Sequence, residues 1–191
     1  MMSICHPGNS ASRLVHCLLA VAVAGWIAPL LLAQSGAPVI DARMVLATDA
    51  VHPGSAAKAA LVAEIPSGYH INDHKPSLDY LIPTDLKLEP NKQIEVAKID
   101  YPKGELLKLA FSDTPLSVYQ GKIVVGVALK VTPAIAPGSY PVKGKFAYQA
   151  CNNHACFPPA SVPVVLNIKV VGRDVPLKRV NSDVFNTSAS N

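Results

Sequence analysis

A sandwich of short antiparallel β-strands is the architecture this sequence predicts, on three observations. Seventeen prolines and eleven glycines in 191 residues interrupt the chain too often for long helices. The later segments alternate apolar and charged side chains with the period of two that a half-buried strand requires. Turn signals recur between those segments at short intervals.

The N-terminus reads as an export signal. Residues 1–16 hold a single charged side chain, Arg13, and the run Cys17–Ala33 that follows has none. A basic start, an apolar stretch and small residues at its end describe a signal peptide over residues 1–33, cut near Ala33. An apolar run of about 17 residues also leaves an uncleaved membrane anchor open. Pro29 inside the run and the polar segment after it favour cleavage. Export places the protein in the periplasm or outside the cell, where disulfides persist. Of four cysteines, Cys5 and Cys17 belong to the leader, so the mature chain keeps Cys151 and Cys156.

Residues 34–52 read as a flexible lead-in, 53–172 as the domain, and the polar, Ser/Asn-rich 173–191 as a loose tail. The first strand of the domain is expected at Ala56–Ile65, between Pro53-Gly54 and Pro66-Ser67-Gly68. Pro76, Pro83 and Pro90 exclude a long helix in the next stretch. Its strand candidates are Leu78–Ile82 and Asp85–Glu89, followed by Gln93–Tyr101 and Leu106–Phe111. Lys122–Thr132 is a β-branched strand bounded by Gly121 and Pro133. After the Pro137-Gly138 turn, Tyr140–Ala150 puts Val142, Gly144, Phe146 and Tyr148 on one face and Lys143 and Lys145 on the other. Val162–Val171 closes the domain, and Pro163 confines it to an edge position or places that residue at the strand's start. Roughly eight strands result, with no internal repeat.

Charge is mild, with 17 basic against 13 acidic residues, and the lysines are scattered. Neutralising successive phosphates needs clustered Lys and Arg, so a nucleic-acid partner is excluded.

The chemistry concentrates in Tyr148-Gln149-Ala150-Cys151-Asn152-Asn153-His154-Ala155-Cys156-Phe157-Pro158-Pro159. Four residues separate the cysteines, a hairpin-loop length that would let their Cα atoms approach the ~5.5–6 Å a disulfide prefers. Closing so short a loop stabilises by only roughly 2 kcal/mol, so the pair would be a weak staple. At a hairpin end it would also be open to an attacking thiolate. Structural and redox readings both fit here, and His154 is either a neighbour that lowers a thiol pKa or a solvated loop residue. A third reading uses Cys151, His154 and Cys156, with His70 or His74, to bind Cu(I) or Zn(II), but no clear fourth ligand is offered. Otherwise no cofactor is implied.

The Tyr148–Cys151, Cys156 and Pro158-Pro159 pattern resembles the N-terminal, immunoglobulin-like domain of the thiol:disulfide interchange protein DsbD. Two further segments are similar to that family: Gly68-Tyr69-His70-Ile71-Asn72-Asp73-His74-Lys75-Pro76 with Tyr80–Thr84, and Tyr101–Gly104 with Val118–Gly121. Together they span about residues 50–171. The resemblance implies an immunoglobulin-like sandwich that passes electrons through Cys151–Cys156 to or from thioredoxin-like periplasmic proteins. A membrane thiol reductase would be the other partner, in a circuit of the kind that serves cytochrome c biogenesis. It implies that Cys156 attacks the partner's disulfide and Cys151 resolves the mixed disulfide. It also implies an aromatic cap over the pair, for which Phe111 and Tyr119 are the candidates, with Tyr69, His70 and Asn72 near the cysteines. A monomer acting as an electron carrier, not a stand-alone enzyme, is expected, with the membrane met only through an uncleaved leader. The other classes that stay open are a non-redox binding module with a structural disulfide and a Cu(I)- or Zn-binding periplasmic domain. Members of the family continue into a membrane domain and a thioredoxin-like domain; neither is read in these residues, so another protein is expected to reduce the pair, and donor and client are not named by the sequence.

Overall fold

The computed structural model describes residues 37–89 and 91–186. The signal segment, with Cys5 and Cys17, lies outside these residues. Eleven strands run in chain order: β1 Asp41–Leu46, β2 Ala56–Glu64, β3 His70–Asn72, β4 Asp85–Leu88, β5 Ile94–Asp100 and β6 Glu105–Leu107. They continue with β7 Leu116–Tyr119, β8 Lys122–Val131, β9 Gly138–Tyr148, β10 Ala150–Cys151 and β11 Ala160–Val170, and a single helical turn, α1 Ser182–Phe185, ends the order. Three sheets form, β1-β2-β8-β5, β11-β9-β4 and β10-β3-β7-β6, with every strand pair antiparallel.

The core lies between the first two sheets. β8 turns Ile123, Val125, Val127, Leu129 and Val131 inward, and β11 answers with Val164, Leu166, Ile168 and Val170. From β9, Val142, Phe146 and Tyr148 fill the space between, as their alternation with Lys143 and Lys145 predicts. Pro163 sits in β11, an edge strand, where its missing N–H costs no ladder bond. Gly144 is required by close approach: a Cβ there would run into the backbone carbonyl of Lys87 in β4.

The structure differs from the sequence reading at both ends of the domain. Residues 41–46, expected in the lead-in, pair with β2 from Asp41↔Glu64 to Leu46↔Ala59. The tail is docked, not loose, as far as it is described. Lys178 O accepts from Asp49 N, Val180 N donates to Ala47 O, and Asn181 Nδ2 donates to Leu46 O. Asn181 takes the left-handed conformation (φ 53°), which Asn tolerates better than most residues. It starts the turn that buries Val184 against Ala60 and Val62 on the outer face of β2. Both faces of β2 are therefore covered. Leu78–Ile82, a strand candidate, is a turn closed by Leu81 N to Leu78 O, and Leu81 packs with Leu109, Leu116 and Val118 in a separate small cluster.

β9 carries the chain out of one sheet and, through Gln149, into the next as β10. That crossing places the cysteines.

Candidate functional site

Cys151 and Cys156 form a disulfide across the end of the hairpin that joins β10 to β11. Their Cα atoms are 3.9 Å apart, closer than the spacing expected from the sequence, because the two residues are a directly opposed antiparallel pair. One bond closes the hairpin on each side of them: Asn152 N to Ala155 O at 2.9 Å, and Phe157 N to Ala150 O at 2.8 Å. The turn is set by a side chain. Asn152 Oδ1 accepts from His154 N at 2.8 Å and Ala155 N at 2.9 Å, the local bonding that makes Asn a turn former.

The two sulfur residues are not equivalent. Cys151 is 0% exposed, whereas Cys156 is half-buried and next to the exposed turn residues Asn153, His154 and Ala155. Of the two, Cys156 is the more accessible to solvent.

β3 lies alongside β10, with Ile71 opposite Ala150 and His70 opposite Cys151. Directly opposed residues project to the same face of a sheet. His70 is 2% exposed, and its Nε2 has no hydrogen-bond partner among the described residues. Burial disfavours the imidazolium and holds the His70 pKa below its ordinary value. Tyr69 packs its ring at 5.9 Å from that of Phe157, the residue after Cys156. Asn72, fully buried, donates through Nδ2 to Ile82 O at 2.9 Å and to Gln149 Oε1 at 3.0 Å. Tyr69, His70 and Asn72 are thus gathered around the hairpin.

The remaining candidates go elsewhere. His154 is exposed on the turn. Phe111 is exposed on the turn closed by Ser112 N to Leu109 O, and no hydrogen bond among the described residues ties that turn to the cysteine hairpin. Tyr119 is 2% exposed in β7, which places it in the core and not on a capping loop. Its hydroxyl donates to Asp73 Oδ1 at 2.6 Å, and burial together with that carboxylate pushes its pKa up. Burial alone would raise the Asp73 carboxyl, but hydrogen bonds from Ser117, Tyr119 and the backbone N–H groups of Lys75 and His74 outweigh it and hold it below its ordinary value. His74 stacks on Tyr101 at 3.7 Å and bonds Thr84 O through Nδ1. Burial first, then Asp85, pushes Tyr101 up to about 12, against the opposing bond from Leu86 N. Among the described residues no three His, Cys, Asp or Glu side chains come together as a metal cluster.

Gln149 is the residue that residue types alone do not reveal. Its Oε1 accepts from Asn72 Nδ2 and from Ile82 N at 3.2 Å, and its Nε2 donates to Phe157 O at 3.2 Å. The signal that points to it is Pro158-Pro159 on the facing leg, two residues with no N–H to offer.

Comparison with known proteins gives one match of weight. The family model described as "Thiol:disulfide interchange protein DsbD, N-terminal" matches residues 39–166. A search of curated proteins finds no match. Among solved structures, the N-terminal periplasmic domain of ScsB from Proteus mirabilis is similar at 13% identity and a TM-score of 0.48, covering 79% of this chain and 52% of that one. This chain therefore spans about half the length of that protein chain. A complex of the DsbD and PilB N-terminal domains from Neisseria meningitidis is similar at 20% identity and a TM-score of 0.38, covering 64% of this chain and 80% of that one. A type I cohesin of ScaB from Pseudobacteroides cellulosolvens scores 0.40 at 12% identity, covering 73% of this chain and 98% of that one.

Proposed function

The chain belongs to the family of DsbD N-terminal thiol:disulfide interchange domains, and on that premise we propose that it is a periplasmic electron carrier working through Cys151 and Cys156. The observation that carries this reading is the asymmetry of the pair, a buried Cys151 joined to a half-buried Cys156 at the end of one hairpin.

In the reduced protein, the Cys156 thiolate attacks one sulfur of a thioredoxin-like partner's disulfide. The partner's other sulfur leaves as a thiolate, and a mixed disulfide joins the two proteins. Cys151 then attacks Cys156 Sγ, re-forming the intramolecular bond and releasing the partner's second thiolate. Two electrons and two protons pass to the partner. Reloading is the reverse: a dithiol donor, such as a membrane thiol reductase, attacks the accessible Cys156 sulfur and Cys151 leaves.

The leaving and attacking sulfur of Cys151 sits where a thiolate is poorly solvated, and burial raises the cost of that charge. His70 lies opposite it across the β10–β3 pair and is held neutral by burial, so it adds no charge beside that sulfur. Tyr69 and Phe157 form an aromatic flank beside Cys156, and the exposed Tyr80 and Ile82 stand on the loop hydrogen-bonded to Gln149. Phe111 remains the cap candidate, as an exposed aromatic on a turn. Among the described residues no helix is long and apolar enough to cross a membrane.

For the Cu(I) or Zn alternative, His74 is engaged with Thr84 and Tyr101, and His70 gathers no second His, Asp or Glu with the cysteines among the described residues. A structural staple is disfavoured by the short loop, worth roughly 2 kcal/mol. Trapping decides between staple and carrier. A Cys151→Ala protein mixed with an oxidised thioredoxin-like protein should accumulate a mixed disulfide through Cys156, visible on a non-reducing gel. If neither Cys151→Ala nor Cys156→Ala traps a partner, the carrier reading fails.

A further inference from the structure

We infer that Gln149 is a positioning residue that keeps the two thiols within bonding reach once the disulfide has opened; this rests on the reading of the pair as an exchange site. The ribbon of β9 and β11 is regular up to Tyr148↔Ala160 and resumes at the Phe157 N to Ala150 O bond. Between those points Pro158 and Pro159 supply no N–H, so the ladder is broken on the open side of the cysteines. The Gln149 side chain fills the break. It donates to Phe157 O on the facing leg, while its Oε1 takes bonds from Ile82 N and Asn72 Nδ2. Its backbone carbonyl accepts from Asn72 N at 3.3 Å. One residue therefore ties both legs of the hairpin to each other, to β3 and to the loop that ends at Ile82.

While the disulfide is closed this tie duplicates the covalent one. Reduction by a dithiol donor, which itself becomes a disulfide, adds two electrons and two protons and leaves Cys151 and Cys156 as separate thiols. On the open side, Gln149 and the single Phe157–Ala150 bond then hold the legs together. A hairpin held closed presents each thiol to the other at a higher effective concentration, so disulfide formation is favoured. Without the tie the reduced hairpin relaxes, whereas the oxidised one cannot, and the equilibrium moves toward the dithiol.

The test is the thiol–disulfide equilibrium of the whole chain in glutathione redox buffers. Gln149→Met keeps the length and removes the side-chain hydrogen bonds. It should lower the equilibrium constant for closing the disulfide about tenfold, a rise in reduction potential of about 30 mV. Gln149→Glu retains an acceptor for Ile82 and Asn72 but loses the donor to Phe157, and should move the constant the same way by about threefold. A purely structural glutamine would weaken the oxidised and reduced folds equally, lowering both urea midpoints and leaving the redox constant at its wild-type value. A constant within about twofold of wild type for Gln149→Met, or unchanged for Gln149→Glu if the Met variant does not fold, overturns the inference. Because glutathione is the only reagent, this result is independent of partner trapping: a chain that traps no partner can still show the shift, and a competent carrier can fail to.

Discussion

Cys151 and His70 are direct cross-strand partners on β10 and β3, and both are buried. The imidazole is the titratable group that the sheet register places opposite the buried sulfur. Its pKa is lowered by burial, so the unfolded chain takes up the His70 proton before the folded one does. The stability contributed by neutral His70 is complete above its ordinary value of 6.5 and is lost as the pH falls below it. His70→Gln should flatten the decline of the urea midpoint below that pH. An unaltered slope would mean that His70 titrates as if exposed.

The exposure difference between the cysteines predicts unequal reactivity. In Cys151→Ser protein the remaining Cys156 thiol should be alkylated by iodoacetamide at least about tenfold faster than Cys151 in Cys156→Ser protein. Equal rates, measured by mass spectrometry on the folded proteins, would contradict the assignment of Cys156 as the sulfur that meets partners.

Asp73 organises the segment after β3, accepting from Ser117 Oγ and Tyr119 hydroxyl, each at 2.6 Å. Asp73→Asn weakens these charge-assisted bonds and should cost about 1–2 kcal/mol at pH 7. Its carboxyl is held below the ordinary value of 3.8, so the stability it contributes is present above that pH and is lost as the pH falls through the folded value. The variant should therefore lose less stability on acidification below about pH 4 than wild type does. Gly104→Ala tests the same spot sterically, since a Cβ there would strike the Asp73 carboxylate and Ser117 Oγ, at a cost of about 1–3 kcal/mol by urea unfolding.

Val184 covers the outer face of β2 with Ala60 and Val62. Val184→Ala should destabilise the domain by about 1–2 kcal/mol. A change under about 0.5 kcal/mol, the range of ordinary surface substitutions, would mean that the tail is not anchored there.

What the sequence disclosed follows the length and regularity of the elements. β8, β9 and β11 run for ten or eleven residues with clear alternation, and were readable from it. β3 is three residues long and β10 two, too short for any period to show, yet both build the site. β1 reads Asp41-Ala42-Arg43-Met44-Val45-Leu46, with mixed burial and no clean alternation of apolar and polar side chains, so its residues look like lead-in. The docked tail is held by backbone bonds of Lys178 and Val180, the Asn181 side chain and buried Val184, within a polar stretch whose composition suggests a loose end. At the site the cysteines declare themselves, and family resemblance supplies Tyr69, His70 and Asn72. Gln149 escapes because its role depends on what Pro158 and Pro159 fail to donate.

The β9–β11 ribbon, with the disulfide beyond its last regular pair, has a kinetic consequence. The β9–β11 ladder that brings Cys151 toward Cys156, from Gly138 to Val170, is contiguous in sequence. Hairpins form in microseconds, well before long-range strand pairings. The two thiols can meet while β1 and β2 are still unpaired with the rest of the domain. An emerging chain thus has its cysteines within oxidation range early, and the order in which the sheets assemble does not decide whether the bond forms.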